Sequence, residues 1–173
     1  WGFGFLGKKR SSMLFRKSKK QASKKFKIIF IIVLGLCLIG INAWKFFWST
    51  AIVELDGQPL HVLVAKNNYH LKKGLGGRET LGDYDGMVFL FPKELRQGIV
   101  MRNMHFPIDI IWIDVFGKVV DIAPSVQVEP NVEEEDLTVY YPRKEAKFIL
   151  ELAAGWAEEQ DLKIGDKFTV IDE

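Results

Sequence analysis

IDIIWIDVFGKVVDIA (residues 108–123) decides the fold class. Two apolar runs, IDIIWIDV and KVVDIA, flank Phe116-Gly117, where glycine supplies the positive φ of a tight turn. That pattern predicts a pair of strands. In a strand starting near Ile108, Asp109 shares a face with Ile111, Ile113 and Val115, while Ile108, Ile110 and Trp112 occupy the other. Both faces are apolar, so Asp109 is expected to be at least partly buried. A buried carboxylate must be hydrogen-bonded or paired, because leaving it without a partner costs several kcal/mol.

Working outward, similar short runs recur between turn signals, the pattern of an all-β sandwich or barrel. AIVEL (51–55) and LHVLVAK (60–66) flank the hairpin-like turn DGQP. GMVFLF (86–91) and GIVMRN (98–103) read as strands joined by PKELRQ, and KFILEL (147–152) as another. A turn at Gly165-Asp166 precedes a last strand, KFTVI. NNYHLKKGLGGRET (67–80) reads as a helical turn and loop, GWAEEQDL (155–162) as a short helix, and NVEEEDL as an acidic, solvated loop. The expected fold class is mainly β: a compact sandwich or barrel-like domain with one or two short helices, preceded by one transmembrane helix.

The charge distribution supports that division. The chain of 173 residues has a formal net charge of +2, yet residues 1–48 hold eleven Lys and Arg and no acid. Residues 49–173 carry thirteen basic and 22 acidic side chains, a net charge of −9. An acidic body argues against nucleic acid as a partner, since phosphate contacts need clustered Lys and Arg. From Ile28 to Ile41 the chain reads IIFIIVLGLCLIGI, without a polar side chain. Extended through Ala43-Trp44 it reaches the roughly 17–25 residues a spanning helix needs, and Trp44 and Trp48 stand where an aromatic belt anchors the far end. KSKKQASKKFK precedes the run, which by the positive-inside rule puts the N-terminus in the cytoplasm.

The expected organisation is a basic cytoplasmic tail at 1–25, a single-pass span of the cytoplasmic membrane at 26–48, and an extracytoplasmic domain at 49–173, with the lipid bilayer as partner. A cleaved signal fits less well, because the run ends in the bulky INAWKFFW rather than small residues. Cys37, the only cysteine, lies mid-span behind Leu36, so no lipoprotein site, disulfide or thiolate metal site is expected.

GLGGRE (74–79), DGMVF (85–89), MRNMHFPIDIIWID (101–114), LELAAG (150–155) and IGDKF (164–168) follow one another along the chain. In that order they resemble the motifs of the bacterial and archaeal family called domain of unknown function 192, over roughly residues 52–172. The resemblance implies a compact, mostly β domain, often exported behind a signal or anchor, and no established reaction. Arg102, Asn103, Pro107 and Asp109 match the family pattern in chemistry. Val100 replaces its usual aromatic, Met104-His105-Phe106 its T-x-I, and Ala153 the proline of LELPAG.

Arg78, Asn103 and Asp109 are the polar members of these motifs; with Glu79 and Arg102 they form the candidate polar pocket. Asp109 is expected to accept hydrogen bonds from Arg78, Arg102 or backbone amides of the GLGGRE loop, holding that loop against the sheet. Alternatively the five line a ligand pocket. Asp109 and Glu79 would also serve as the paired carboxylates of a saccharide hydrolase. Met104 and His105, with Met87 and Met101, offer soft ligands for copper, although Met87 and Met101 suit apolar strands as core fillers. His61 and His70 lack metal-ligand spacing and read as partly exposed.

GLGG lacks the GK[ST] ending of a phosphate loop, and neither G-x-S-x-G nor H-E-x-x-H occurs. Trp112 is expected in the core. Trp156, with Tyr140 and Tyr141, would supply rim aromatics for stacking on a sugar. No cofactor is expected. The leading expectation is a binding or interaction module at the cell envelope, with an unidentified ligand or protein partner; the alternatives are an envelope hydrolase using Asp109 and Glu79, or a copper protein using Met104 and His105.

Overall fold

The computed structural model describes residue 1, residues 24–43 and residues 47–172, excluding side chains at 24, 38, 39 and 41–43. The chain divides into two units, residues 1–43 and residues 44–173. In the first, helix α1 (Lys24–Ala43) carries the apolar run, and its described isoleucine, phenylalanine and valine side chains are exposed. Among the described residues no helix is long and apolar enough to cross a membrane. The expected span at 26–48 extends beyond them, through residues 44–46 and several undescribed side chains.

The second unit is built on seven strands: β1 (Ser49–Leu55), β2 (Gln58–Ala65), β3 (Gly86–Leu95), β4 (Ile108–Ile113), β5 (Val119–Val126), β6 (Ala146–Ala153) and β7 (Phe168–Asp172). Their order in the sheet is β5-β4-β6-β3-β2-β1-β7. Every pairing is antiparallel except β2 with β3, which are parallel and joined through helix α2 (Asn68–Lys73). Such a connection is what two parallel neighbours require. The two edges meet at one end, where Phe168 N–H donates to the Gly117 carbonyl at 2.7 Å and Val119 N–H to that of Asp166 at 2.9 Å. Closing the sheet this way satisfies part of the edge backbone that an open sheet would leave unpaired.

Strand alternation gives two cores. The inner one takes side chains from all seven strands, among them Val53, Val62, Val88, Ile111, Val119, Leu150 and Phe168. On the opposite face Leu63, Met87, Phe89, Ile108, Ile110, Trp112 and Ile149 lie beneath a layer of loops and α2. The alternation expected around Asp109 is observed: Ile111 and Ile113 belong to the inner core, Ile108, Ile110 and Trp112 to the outer.

Two expectations change. GIVMRN is no strand; its one ladder contact is an isolated bridge between Ile99 and Tyr140. Asn103 takes the left-handed conformation (φ 51°) and Met104 N–H turns back to the Met101 carbonyl, which ends extension. PKELRQ is not a connector either, because β3 continues through it to Leu95, past a register shift against β6.

Candidate functional site

A cleft of about 410 Å³ opens in the loop layer over the outer core. The end of α2 with the GLGG loop, the segment 97–104, the turn at Glu134 and the sheet beneath build it. Asn67 starts α2 by accepting the His70 N–H through its side chain at 2.9 Å, the usual capping geometry. Gly74 closes the helix with φ 51° and ψ −146°, a region open almost only to glycine. Gly76 then passes so close to the neighbouring segment that a Cβ there would lie 2.5 Å from the Arg102 carbonyl oxygen. Gly77 N–H donates to the Asn103 carbonyl at 2.7 Å, locking the two segments together.

Arg102 fastens the same corner. Its Nη1 donates to the Lys72 carbonyl at the end of α2 (3.0 Å), where a cation also meets the negative end of the helix. Its Nη2 pairs with Glu134 at 2.7 Å, on a 3-10 turn at Glu134–Asp136. The remaining nitrogen, Nε, is buried and has no hydrogen-bond partner among the described residues.

Glu151 lines the cleft from the sheet. It lies on β6 with Met87 of β3 and Ile110 of β4 as its cross-strand neighbours. The residue is 4% exposed, and its Oε2 has no hydrogen-bond partner among the described residues. Burial among apolar neighbours pushes its pKa up to about 8. At neutral pH Glu151 is therefore a neutral acid, able to donate through its O–H as well as accept.

Of the expected pocket, only Arg102 lines this cleft. Asp109 is fully buried and accepts from Ser125 N–H (2.7 Å) and Gly155 N–H (3.1 Å) on Oδ1 and from Ala157 N–H (2.7 Å) on Oδ2. It thereby ties β5 and the start of helix α3 (Trp156–Glu159) to β4. The expected tie to Arg78, Arg102 or the GLGGRE loop is corrected, and strand alternation is the reason. Asp109 sits on the face of Ile111 and Ile113, whereas Leu75 of the loop packs with Ile108, Ile110 and Trp112.

Arg78 instead lies over the Trp48 ring, 5.6 Å from its centroid, and Trp48 stacks on His70 at 3.9 Å. Trp48, assigned from sequence to the end of the span, thus packs within the β unit, and His70, expected to be partly exposed, is buried. Glu79 meets His105 Nδ1 at 2.8 Å, with both side chains largely exposed. A hydrolase pair of Asp109 and Glu79 has no structural basis, since Asp109 is sealed on amides while Glu79 projects to solvent.

Asn103, Met104 and His105 border a second cleft, beside the acidic loop. Met87 and Met101 fill the outer core and Met104 packs against it. Among the described residues no group of three or more His, Cys, Asp or Glu side chains could hold a metal. Trp112 is core, and Trp156 packs against the inner core, half-buried.

Glu151 was not singled out by sequence reasoning, although the signal was present. In FILEL, Leu150 and Leu152 define one apolar face and Ile149 the other, so the argument that buries Asp109 buries Glu151 equally.

Comparison with known proteins adds the family and the fold. A protein of unknown function from Novosphingobium aromaticivorans shares 27% identity with a TM-score of 0.59, covering 70% of this chain and 84% of its own. A Sinorhizobium meliloti protein, provisionally described as a transcription regulator, shares the fold at 23% identity and a TM-score of 0.62, over 71% of this chain and 95% of its own. No curated protein matches significantly. The family model described as "DUF192: Uncharacterized ACR" matches residues 51–170, the whole β unit but its ends. The chain belongs to the DUF192 family.

Proposed function

We propose that the chain is a membrane-tethered, extracytoplasmic binding module that holds a small ligand in the cleft over Glu151. The observation that carries the reading is that carboxyl: buried, with an unpartnered oxygen, in the lining of a cleft rather than in a sealed core. A buried polar group without a partner costs about 1–3 kcal/mol, a cost a ligand able to hydrogen-bond it would offset. Small-molecule sites combine apolar walls with a few convergent polar groups, and this cleft sets apolar side chains beside Arg102 and Glu151.

Turnover would call for a second titratable group placed against the first. Arg102 and Glu134, which share the cleft with Glu151, pair with each other. Binding is therefore the simpler reading. Regulation of transcription, the provisional description of the Sinorhizobium meliloti protein, is not adopted, because a net charge of −9 over residues 49–173 opposes phosphate contacts.

Placement at the membrane draws on the apolar run from Ile28 to Ile41, on the basic segment before it, and on a helix whose described apolar side chains are exposed on all sides. Alkaline extraction of membranes should leave the chain in the pellet; release of intact protein would end the anchor reading. The binding reading is tested by extracting small molecules from the purified full chain and comparing them with those from Glu151→Leu. A compound enriched only on the wild type supports it, and identical profiles contradict it.

A further inference from the structure

Two buried polar atoms without partners, Arg102 Nε and Glu151 Oε2, belong to residues lining one cleft. Nε of an arginine can only donate, and the other two guanidinium nitrogens are engaged with Lys72 and Glu134. Glu151, held neutral by burial, offers its O–H as a second donor. Two donors at one site call for a ligand group rich in acceptors. The charged residues lining the cleft are Lys72, Arg102, Glu134 and Glu151. With Glu151 neutral they sum to one positive charge, in a domain that is otherwise strongly acidic, so an anion is favoured and an amine is opposed. About half of the lining is apolar, from side chains such as Leu71, Leu75, Phe89, Ile99 and Ile108, which gives the rest of the ligand an apolar surface to lie against. Met101 and Met104 also line the cleft; their unbranched thioether chains adapt to an irregular occupant.

We infer that the cleft takes a small apolar molecule bearing one carboxylate, with the carboxylate received by Arg102 Nε–H and the Glu151 carboxyl and the apolar body against the outer core. The inference rests on the binding reading above and narrows it to one chemical class. Charge-assisted hydrogen bonds of this kind are about twice as strong as neutral ones, so a carboxylate should be chosen over its amide.

The full chain, reconstituted in lipid nanodiscs and labelled with 13C at its methionine methyl groups, provides the test. Its four methionines are Met13, Met87, Met101 and Met104. Met101 and Met104 report on the cleft, and empty nanodiscs control for partition into lipid. The probes are 3-phenylpropionate, 3-phenylpropionamide and 3-phenylpropylamine. The expected result is saturable shifts of Met101 and Met104 with the carboxylate, at least tenfold weaker with the amide and absent with the amine. Glu151→Leu should weaken carboxylate binding at least tenfold. Arg102→Lys, which keeps the charge but removes Nε–H, should weaken it several-fold, with thermal unfolding of the free variant followed to separate this from loss of the corner that Arg102 fastens. If the amine or amide binds as well as the carboxylate and depends on Glu151, the carboxylate class is overturned and the binding cleft stands. If no probe moves Met101 or Met104, the inference is overturned; the binding reading falls with it only if wild type and Glu151→Leu also retain the same small molecules.

Discussion

Asp109 and Glu151 are buried carboxyls on neighbouring strands, and their surroundings give them opposite roles. Asp109 receives three backbone amides and holds β5 and α3 to β4; Glu151 has an oxygen with no partner and neighbours that are mostly apolar. Removing Asp109 leaves those amides without their acceptor, and the buried Ala157 N–H alone then costs about 1–3 kcal/mol. Asp109→Ala should therefore lower stability in denaturant unfolding by roughly 3 kcal/mol or more. Glu151→Leu should act the other way, since it replaces a buried, unpartnered carboxyl with an apolar side chain of similar size. Its unfolding midpoint should rise, by about 1 kcal/mol or more in stability, while ligand retention is lost. A large destabilisation by Glu151→Leu would make Glu151 a structural residue and remove the reason for reading it as a site.

At the scale of elements, the cleft depends on how closely the GLGG loop meets segment 97–104. Gly76→Ala would drive a methyl group against the Arg102 carbonyl oxygen, a backbone atom that cannot move without shifting the segment. The expected cost is about 1–3 kcal/mol, with faster hydrogen exchange at the Gly77 amide, which bonds across the same junction. Unchanged exchange at Gly77 would show that the junction tolerates separation. The strands flanking this corner were legible in sequence because β-branched runs and turn residues are local signals. Segment 97–104 was not. It is apolar enough for a strand, yet its burial comes from a loop crossing the sheet, and only the left-handed backbone of Asn103 marks the end of extension. The partners of Asp109 were missed for a different reason. The motif order suggested a contact with the GLGGRE loop, while the alternation already written in IDIIWI turned Asp109 to the other face.

For the molecule as a whole, seven strands closed at one end give a fold in which one sheet face is sealed and the other is roofed by loops. The cleft lies under the roof and is lined by Glu151, whereas Asp109 is turned to the inner face, which is why Glu151 rather than Asp109 becomes the candidate. The mainly β class and the family motifs were readable from residue patterns; the cleft was not, since it arises where several segments distant in sequence converge. The central claim is that Glu151 is a neutral acid at neutral pH. Its pKa is raised from 4.5 to about 8 in the folded chain. Between those values the unfolded state loses its proton while the folded state keeps it, so this group makes stability fall as pH rises through that window and level off above it. Glu151→Gln should remove that component. The most direct measurement follows the side-chain carboxyl resonance of Glu151 through a pH titration of the 13C-labelled full chain. A midpoint near 8 is expected. A midpoint near 4.5, the unperturbed value, would mean that the carboxyl is solvated and charged, and would contradict it.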